Sequence, residues 1–114
     1  MKKQISVAFA TAKLKADFEA LKDGKSEEQG LHKELCMTLD ALRSDPGSGI
    51  RVPKRIWPKF YKKRHLITNL WKRDLRSGWR VTYTIKFYEE KTICMILEWM
   101  THKEYERRFG YHAK

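Results

Sequence analysis

The sequence predicts a single α+β domain over residues 1–114, in which two N-terminal helices pack on a small, mainly antiparallel sheet. Three observations predict this class. The length suits one domain. The first half carries two helical apolar stripes, and the second half carries three strand-like runs separated by short turns. The predicted order of elements is β-α-α-β-β-β-α.

The first two elements follow from apolar spacing. Residues 3–10 alternate between apolar and other side chains, which predicts a short strand. Thr11 can then cap a first helix, whose apolar residues recur at helical spacing. A signal peptide would also begin with basic residues before an apolar stretch. This stretch stops at Thr11 and lysines follow at once, so the strand is favoured.

The second helix has a start signal and a stop signal. Ser26 followed by Gln29 predicts a capping box, and leucines then recur at helical spacing as far as Leu42. Pro46 and the glycines beside it end the helix. The apolar stripes of both helices are expected to cover one face of the sheet.

Residues 50–65, called the basic segment below, hold seven basic residues, no acidic residue and interleaved aromatics. Pro53 and Pro58 argue against a regular strand or a long helix. Cations attract phosphates and flat rings stack on unpaired bases, so the segment suits single-stranded RNA. The alternative is that Trp57 and Tyr61 anchor a long loop on the core. The residues expected to contact RNA here are Arg51, Lys54, Arg55, Trp57, Lys59, Tyr61, Lys62, Lys63 and Arg64.

Three predicted strands follow, over residues 66–75, 79–87 and 92–99. The second alternates cleanly between apolar and polar side chains, so one of its faces belongs to the core. The third is apolar on nearly every position and is therefore expected to lie inside the sheet. Thr101 then resembles another helix start, and Tyr105 is expected to dock that last helix.

The charge is unevenly distributed along the chain. The net charge is +11, and residues 1–49 contribute nothing to it because eight Lys and Arg balance eight Asp and Glu. Residues 50–114 hold seventeen Lys and Arg against six Asp and Glu. Such asymmetry indicates a polyanionic partner, either a nucleic acid or an acidic protein.

Composition excludes several other classes. No apolar run approaches the roughly 18 residues of a transmembrane helix, so no membrane association is expected. Cys36 and Cys94 have no CxxC partner, so both are expected to be free thiols, without a metal site. The chain is expected in the cytoplasm.

Two motifs carry a resemblance. Residues 78–83 read Gly-Trp-Arg-Val-Thr-Tyr, and the last predicted strand is followed by His-Lys-Glu-Tyr at residues 102–105. In this order and spacing they resemble the RelE/ParE toxin superfamily over residues 65–112, and the N-terminal part matches by architecture. The basic segment is longer than the usual connection in that family.

The resemblance implies a toxin of a type II toxin–antitoxin system. It implies an endoribonuclease that cleaves mRNA without a metal or cofactor, usually on the ribosome, and so inhibits translation. It also implies an acidic, partly disordered antitoxin as partner. Two alternatives stay open: a ParE-like toxin that inhibits DNA gyrase without nuclease activity, and a non-catalytic RNA- or ribosome-binding module. The oligomeric state is left open.

Ribonuclease chemistry without a metal needs a base, an acid and cations that hold the charge of the transition state. Arg80 matches the strand arginine of the family and can clamp a phosphate with two nitrogens. His102 suits acid or base work. Tyr105 lies one helical turn later and could stack on a base or hold a proton there, or only dock the helix. Lys72 and Arg73 point to opposite faces, and the family favours Lys72. Further candidates for RNA contact are Arg73, Arg76 and His112, with His65 as a lesser candidate and His32 as a surface residue.

Overall fold

The computed structural model describes residues 4–110, apart from the side chains of Arg64 and His65. Over this range the chain is α+β, with four α-helices and a five-stranded mixed sheet. The strands are β1 (Gln4–Phe9), β2 (Ile50–Arg51), β3 (Trp71–Asp74), β4 (Trp79–Tyr88) and β5 (Lys91–Thr101). The helices are α1 (Ala12–Ala20), α2 (Ser26–Ser44), α3 (Lys59–His65) and α4 (His102–Arg108). No helix in the described range is long and apolar enough to cross a membrane.

The strands lie in the order β1-β5-β4-β3-β2. β1 runs parallel to β5, and the other neighbours are antiparallel. β5 therefore has a strand on each side, as its apolar sequence predicted. It also carries a β-bulge, because Tyr83 pairs with Ile96 whereas the preceding Thr82 pairs with Glu98. Leu97 is the extra residue, and Glu98 consequently faces the same side of the sheet as Thr82.

One face of the sheet is covered by α2 and is called the α2 face. Its core is built by apolar residues of α2 and of the two central strands, with α1 packed at its margin. Because β4 alternates, its apolar positions meet the leucine stripe that the helical spacing predicted. The buried members of this core are Leu31, Leu35, Leu42, Val81, Tyr83, Ile85, Cys94 and Ile96.

The opposite face carries Arg80 and is called the Arg80 face. The alternation of β4 indicated that this face is polar, but the basic segment and α4 cover it and add a second core. The sheet therefore lies between two layers. The buried apolar residues of this second core are Val52, Trp57, Tyr61, Leu70, Leu97, Met100, Tyr105 and Phe109.

The helix starts follow the predicted signals with one shift. The Thr11 hydroxyl accepts a hydrogen bond from the Leu14 amide at 3.0 Å, as a cap should. In α2 the cap position is Lys25 rather than the predicted Ser26, because Glu28 accepts the Lys25 amide at 2.8 Å. The predicted cap of α2 therefore lies one residue too late in the chain.

The start of α4 matches its prediction. The Thr101 hydroxyl accepts from the Glu104 amide at 3.2 Å, and the Glu104 carboxylate accepts from the Thr101 amide at 2.9 Å. These reciprocal bonds form a capping box. They hold the first turn of α4 directly against the end of β5.

The strand predicted over residues 66–75 is shorter than expected. It begins at Trp71 rather than at residue 66, and Leu66 adopts a left-handed conformation with φ of 49°. The Asn69 side chain bonds both backbone groups of Ile85, at 2.8 and 2.9 Å. A side chain thus replaces the ladder bonds that a longer β3 would make. The basic segment also contains β2 and α3, two elements that the predicted order lacks.

Candidate active site

Three charged side chains from β3 and β4 meet on the Arg80 face. Lys72 pairs with Thr82 across the two strands, and Asp74 pairs with Arg80, so all four share one side of the sheet. The Oδ1 atom of Asp74 lies 3.1 Å from the Nζ of Lys72 and 2.9 Å from the Nε of Arg80. One carboxylate thus holds two cations, and the group keeps a net positive charge.

The two cations are more deeply buried than the carboxylate that binds them. The side chains of Lys72 and Arg80 are each 10% exposed, whereas that of Asp74 is 51% exposed. The Nη1 atom of Arg80 is buried and has no hydrogen-bond partner among the described residues. Buried donors nearly always have a partner, so an anion that reached this nitrogen would satisfy it.

Tyr105 of α4 packs its ring against the same guanidinium. The Cζ atom of Arg80 lies 4.7 Å from the centre of the Tyr105 ring, and the Nζ of Lys72 lies 5.7 Å from it. Tyr105 is itself buried and stacks on Phe109 at 4.3 Å. An aromatic face below two cations contributes a favourable cation–π interaction. Tyr105 therefore docks the helix, as one interpretation of this residue predicted, and lies against the cation pair. Its buried ring is not placed to stack on a base, and its role in holding a proton stays a prediction.

His102 begins α4 at the same end of the sheet. Its backbone amide donates to the Gly78 carbonyl at 2.8 Å, and Met100, two residues earlier, pairs with Arg80. The half-exposed imidazole places Nε2 at 2.7 Å from the Glu106 carboxylate. A carboxylate only accepts, so Nε2 is the donor in this bond, and in the neutral imidazole Nδ1 is then the acceptor nitrogen.

A second polar group lies next to the cation pair on the Arg80 face. The Tyr61 hydroxyl donates to the Glu98 carboxylate and lies 2.8 Å from the Thr82 hydroxyl. Arg108 donates to the other oxygen of Glu98 at 2.8 Å. Burial, with the Glu98 charge beside it, raises the pKa of Tyr61 far above its ordinary value. The phenol therefore stays protonated and ties the basic segment to the sheet.

In the basic segment, Trp57 and Tyr61 are buried, whereas the described cationic side chains are exposed. Trp57 and Tyr61 are 7% and 0% exposed, and the Trp57 indole donates to the Val52 carbonyl at 3.0 Å. Base stacking by these two rings, one of the predicted roles, is therefore wrong, and the anchoring alternative is correct. The cationic side chains of the segment are exposed to solvent: Arg51, Lys54, Arg55, Lys59, Lys62 and Lys63.

The remaining candidates lie away from the cation pair or outside the described structure. Arg73 points to the side opposite Lys72 and donates to the Ser48 hydroxyl at 2.9 Å. Arg76 is exposed in the turn between β3 and β4. His32, expected at the surface, is partly buried and stacks on Phe18 at 4.6 Å. His112 and the side chains of Arg64 and His65 lie outside the described residues.

Both cysteines are free, as predicted. Burial raises the pKa of Cys94 to about 11, and burial also raises that of Cys36 above its ordinary value. A thiol with a raised pKa carries little thiolate at neutral pH. The candidate chemistry therefore rests on the cations and His102.

Three carboxylates of the site were missed in the sequence: Asp74, Glu98 and Glu106. Asp74 lies two residues after Lys72 on one strand, and this spacing alone places both on the same face. Glu106 lies four residues after His102 on one helix, which brings the two side chains together. Glu98 had no such signal, because the bulge in β5 decides which way it points.

Comparison of the chain with protein-family models, with curated proteins and with solved structures finds no significant match.

Proposed function

We propose that this chain is a RelE-like toxin of a type II toxin–antitoxin system that acts as an endoribonuclease on mRNA. The observation that supports this best is the cation pair on the Arg80 face. Arg80 offers a buried Nη1 that has no partner among the described residues, and Lys72 stands beside it. His102 begins α4 at the same end of the sheet, and because Nε2 contacts Glu106, Nδ1 is the nitrogen proposed to carry the proton. Together they supply anion binding and proton transfer.

The proposed reaction is an internal transfer at one phosphodiester. The ribose 2′ oxygen attacks the adjacent phosphorus, and its proton passes to Nδ1 of His102. Arg80 and Lys72 stabilise the extra negative charge on the two non-bridging oxygens. The bond from phosphorus to the 5′ oxygen then breaks, and the imidazolium returns its proton to that oxygen. The products are a 2′,3′-cyclic phosphate and a 5′ hydroxyl, and no metal is needed.

The basic segment supplies the proposed attraction for RNA. Its exposed cations lie on the layer that covers the Arg80 face, and no acidic residue interrupts them. Contacts to phosphates are independent of base sequence and strengthen at low salt. This suits mRNA held on the ribosome, itself a large polyanion in the cytoplasm. The same positive charge would attract an acidic antitoxin.

One observation favours the alternative of a non-catalytic RNA-binding module. Arg80 and Lys72 are covered, and Asp74 already neutralises part of their charge. Binding by the exposed cations of the basic segment would not require the covered pair to reach a phosphate. Cleavage would require it. Cutting of mRNA therefore separates the two functions.

The test is an in vitro translation reaction in which reporter mRNA is mapped for new 5′ ends. The wild-type chain should cut the mRNA, and both His102→Ala and Arg80→Gln should slow cutting by about a hundredfold or more. Lys103→Ala is the matched control, because Lys103 is exposed beside His102 and should be dispensable. Intact mRNA with a folded wild-type chain would exclude the nuclease. Inhibition of gyrase supercoiling would instead support the ParE-like alternative.

A further inference from the structure

Asp74 holds both cations of the proposed site, and its Oδ1 atom contacts each of them. Its Oδ1 lies 2.9 Å from the Nε of Arg80 and 3.1 Å from the Nζ of Lys72, while Oδ2 lies 3.4 Å from that Nζ. We propose that Asp74 is an internal competitor of the substrate, which occupies the cation pair until an RNA phosphate displaces it. This inference rests on the proposed function and adds a residue that regulates the same site.

The geometry places the carboxylate at the entrance and the cations behind it. Asp74 is the last residue of β3 and about half of its side chain is exposed, whereas the two cations are nine-tenths buried. A phosphate that approaches from solvent therefore meets a negative charge first. It can take the place of the carboxylate at the Nε of Arg80 only if the Asp74 side chain turns away.

The cations need an anion in the free protein. A buried cation without a counter-charge is strongly destabilising, and Asp74 prevents this before RNA arrives. A half-exposed carboxylate is nevertheless a weak partner, because water and salt screen it. The interaction is therefore strong enough to keep the site folded and weak enough to be exchanged.

A phosphodiester is a better partner for this pair than the carboxylate of Asp74. It offers two non-bridging oxygens, which can bind Nε and Nη1 of one guanidinium together. Asp74 contacts Nε and leaves Nη1 without a partner among the described residues. Exchange would thus give Nη1 of Arg80 a partner that none of the described residues supplies.

The experiment compares Asp74→Asn with Asp40→Asn, which removes the same charge. Asp40 pairs with Arg43 on the exposed surface of α2, far from the cation pair in sequence. The ligand is a 2′-O-methyl oligoribonucleotide, which cannot be cut, and binding is followed by fluorescence anisotropy. Asp74→Asn should bind about tenfold more tightly than wild type, because a charged competitor has been removed. Asp40→Asn should stay within about twofold, as expected for a remote exposed charge.

Two further variants assign the effect to the site. Asp74→Glu keeps the negative charge and should bind as weakly as wild type. Arg80→Gln added to Asp74→Asn should remove the gain, because the released cation is then missing. Equal affinities for Asp74→Asn and Asp40→Asn, or no binding by any variant, would overturn the inference.

A measurement on the wild-type chain covers the case in which Asp74→Asn fails to fold. The carboxyl carbon of Asp74 is followed by NMR while the oligoribonucleotide is added. Its resonance should shift with the occupancy of the site, and an unchanged resonance at saturation would refute displacement. Cutting of mRNA is scored separately, so a wild-type chain that cuts normally while Asp74 stays in place would overturn this inference and leave the nuclease standing.

Discussion

The guanidinium of Arg80 lies 4.7 Å from the centre of the Tyr105 ring, and this contact joins the sheet to the last helix. Arg80 belongs to β4 and Tyr105 to α4, which also carries His102. The same helix therefore positions the proposed phosphate clamp and the proposed proton carrier. Changes that loosen α4 should weaken both roles at once, and this expectation can be tested.

Replacement of Lys72 by Met should slow mRNA cutting by about a hundredfold, because one of two cations facing the phosphate is lost. Arg73→Met is the matched control. It removes the same charge from the neighbouring position, but Arg73 faces the other side of β3. The rate of cutting is measured on purified chains whose melting temperatures are compared. Equal losses in the two variants would show that only net charge matters.

Removal of cations from α3 should weaken RNA binding without unfolding the protein. Lys59, Lys62 and Lys63 are exposed, and the triple change to Gln should flatten the slope of log affinity against log salt by about 2, or ~0.7 per lost contact. The control changes Lys13, Lys15 and Lys22 to Gln on and beside α1. Affinity is measured by anisotropy over a series of salt concentrations. A control triple with the same slope change would remove the basic segment from the binding surface.

Lowering the pH should destabilise the first turn of α4. Hydrogen bonds from Thr101, the backbone amide first, hold the pKa of Glu104 below its ordinary value. A lowered pKa adds stability that is present above the unfolded value, about 4.3 for Glu, and is lost as the pH falls through the folded value. The protection of the α4 amides against exchange, relative to their intrinsic rates at each pH, should therefore fall below about pH 4. Glu104→Gln should remove this pH dependence, and its persistence would assign the effect to another group.

Two glycines should respond to alanine in opposite directions. A Cβ at Gly49 would lie 2.5 Å from the Lys72 carbonyl and 2.5 Å from the Tyr83 hydroxyl, so Gly49→Ala should cost about 1–3 kcal/mol. A Cβ at Gly30 meets nothing within 4 Å, and Gly30 lies inside α2. Gly30→Ala should therefore stabilise by about 0.5–1 kcal/mol. Urea denaturation measures both changes, and a stable Gly49→Ala would mean that β3 can shift.

Local signals predicted most of the fold. Alternation in β4 identified its core side, and the apolar run of β5 placed that strand inside the sheet. The capping pair of Thr101 and Glu104 located the start of α4. Each of these rests on neighbours within a few residues, which is why a single sequence suffices for them.

Contacts between distant residues could not be predicted in the same way. The Asn69 side chain shortens β3 by forming hydrogen bonds with the backbone of Ile85. No pattern in the sequence around residue 69 predicts these bonds. Trp57 and Tyr61 suit either stacking on bases or packing in a core, and only burial decides between these roles. The two motifs supplied Arg80 and His102 as candidates, and the family resemblance supplied Lys72. Asp74 was overlooked, although its spacing from Lys72 already placed it on the same face.

The bulge in β5 determines which face of the sheet each of the following residues of that strand occupies. In a strand the side chains alternate, so an added residue exchanges the two sides for everything that follows. Without Leu97 as the extra residue, Glu98 would pair with Val81 and turn toward α2, and Trp99 would take the place of Met100 opposite Arg80. Regular pairing through Leu97 would thus carry the last helix away from Arg80, whereas deletion of Leu97 would remove the bulge and keep Met100 opposite Arg80.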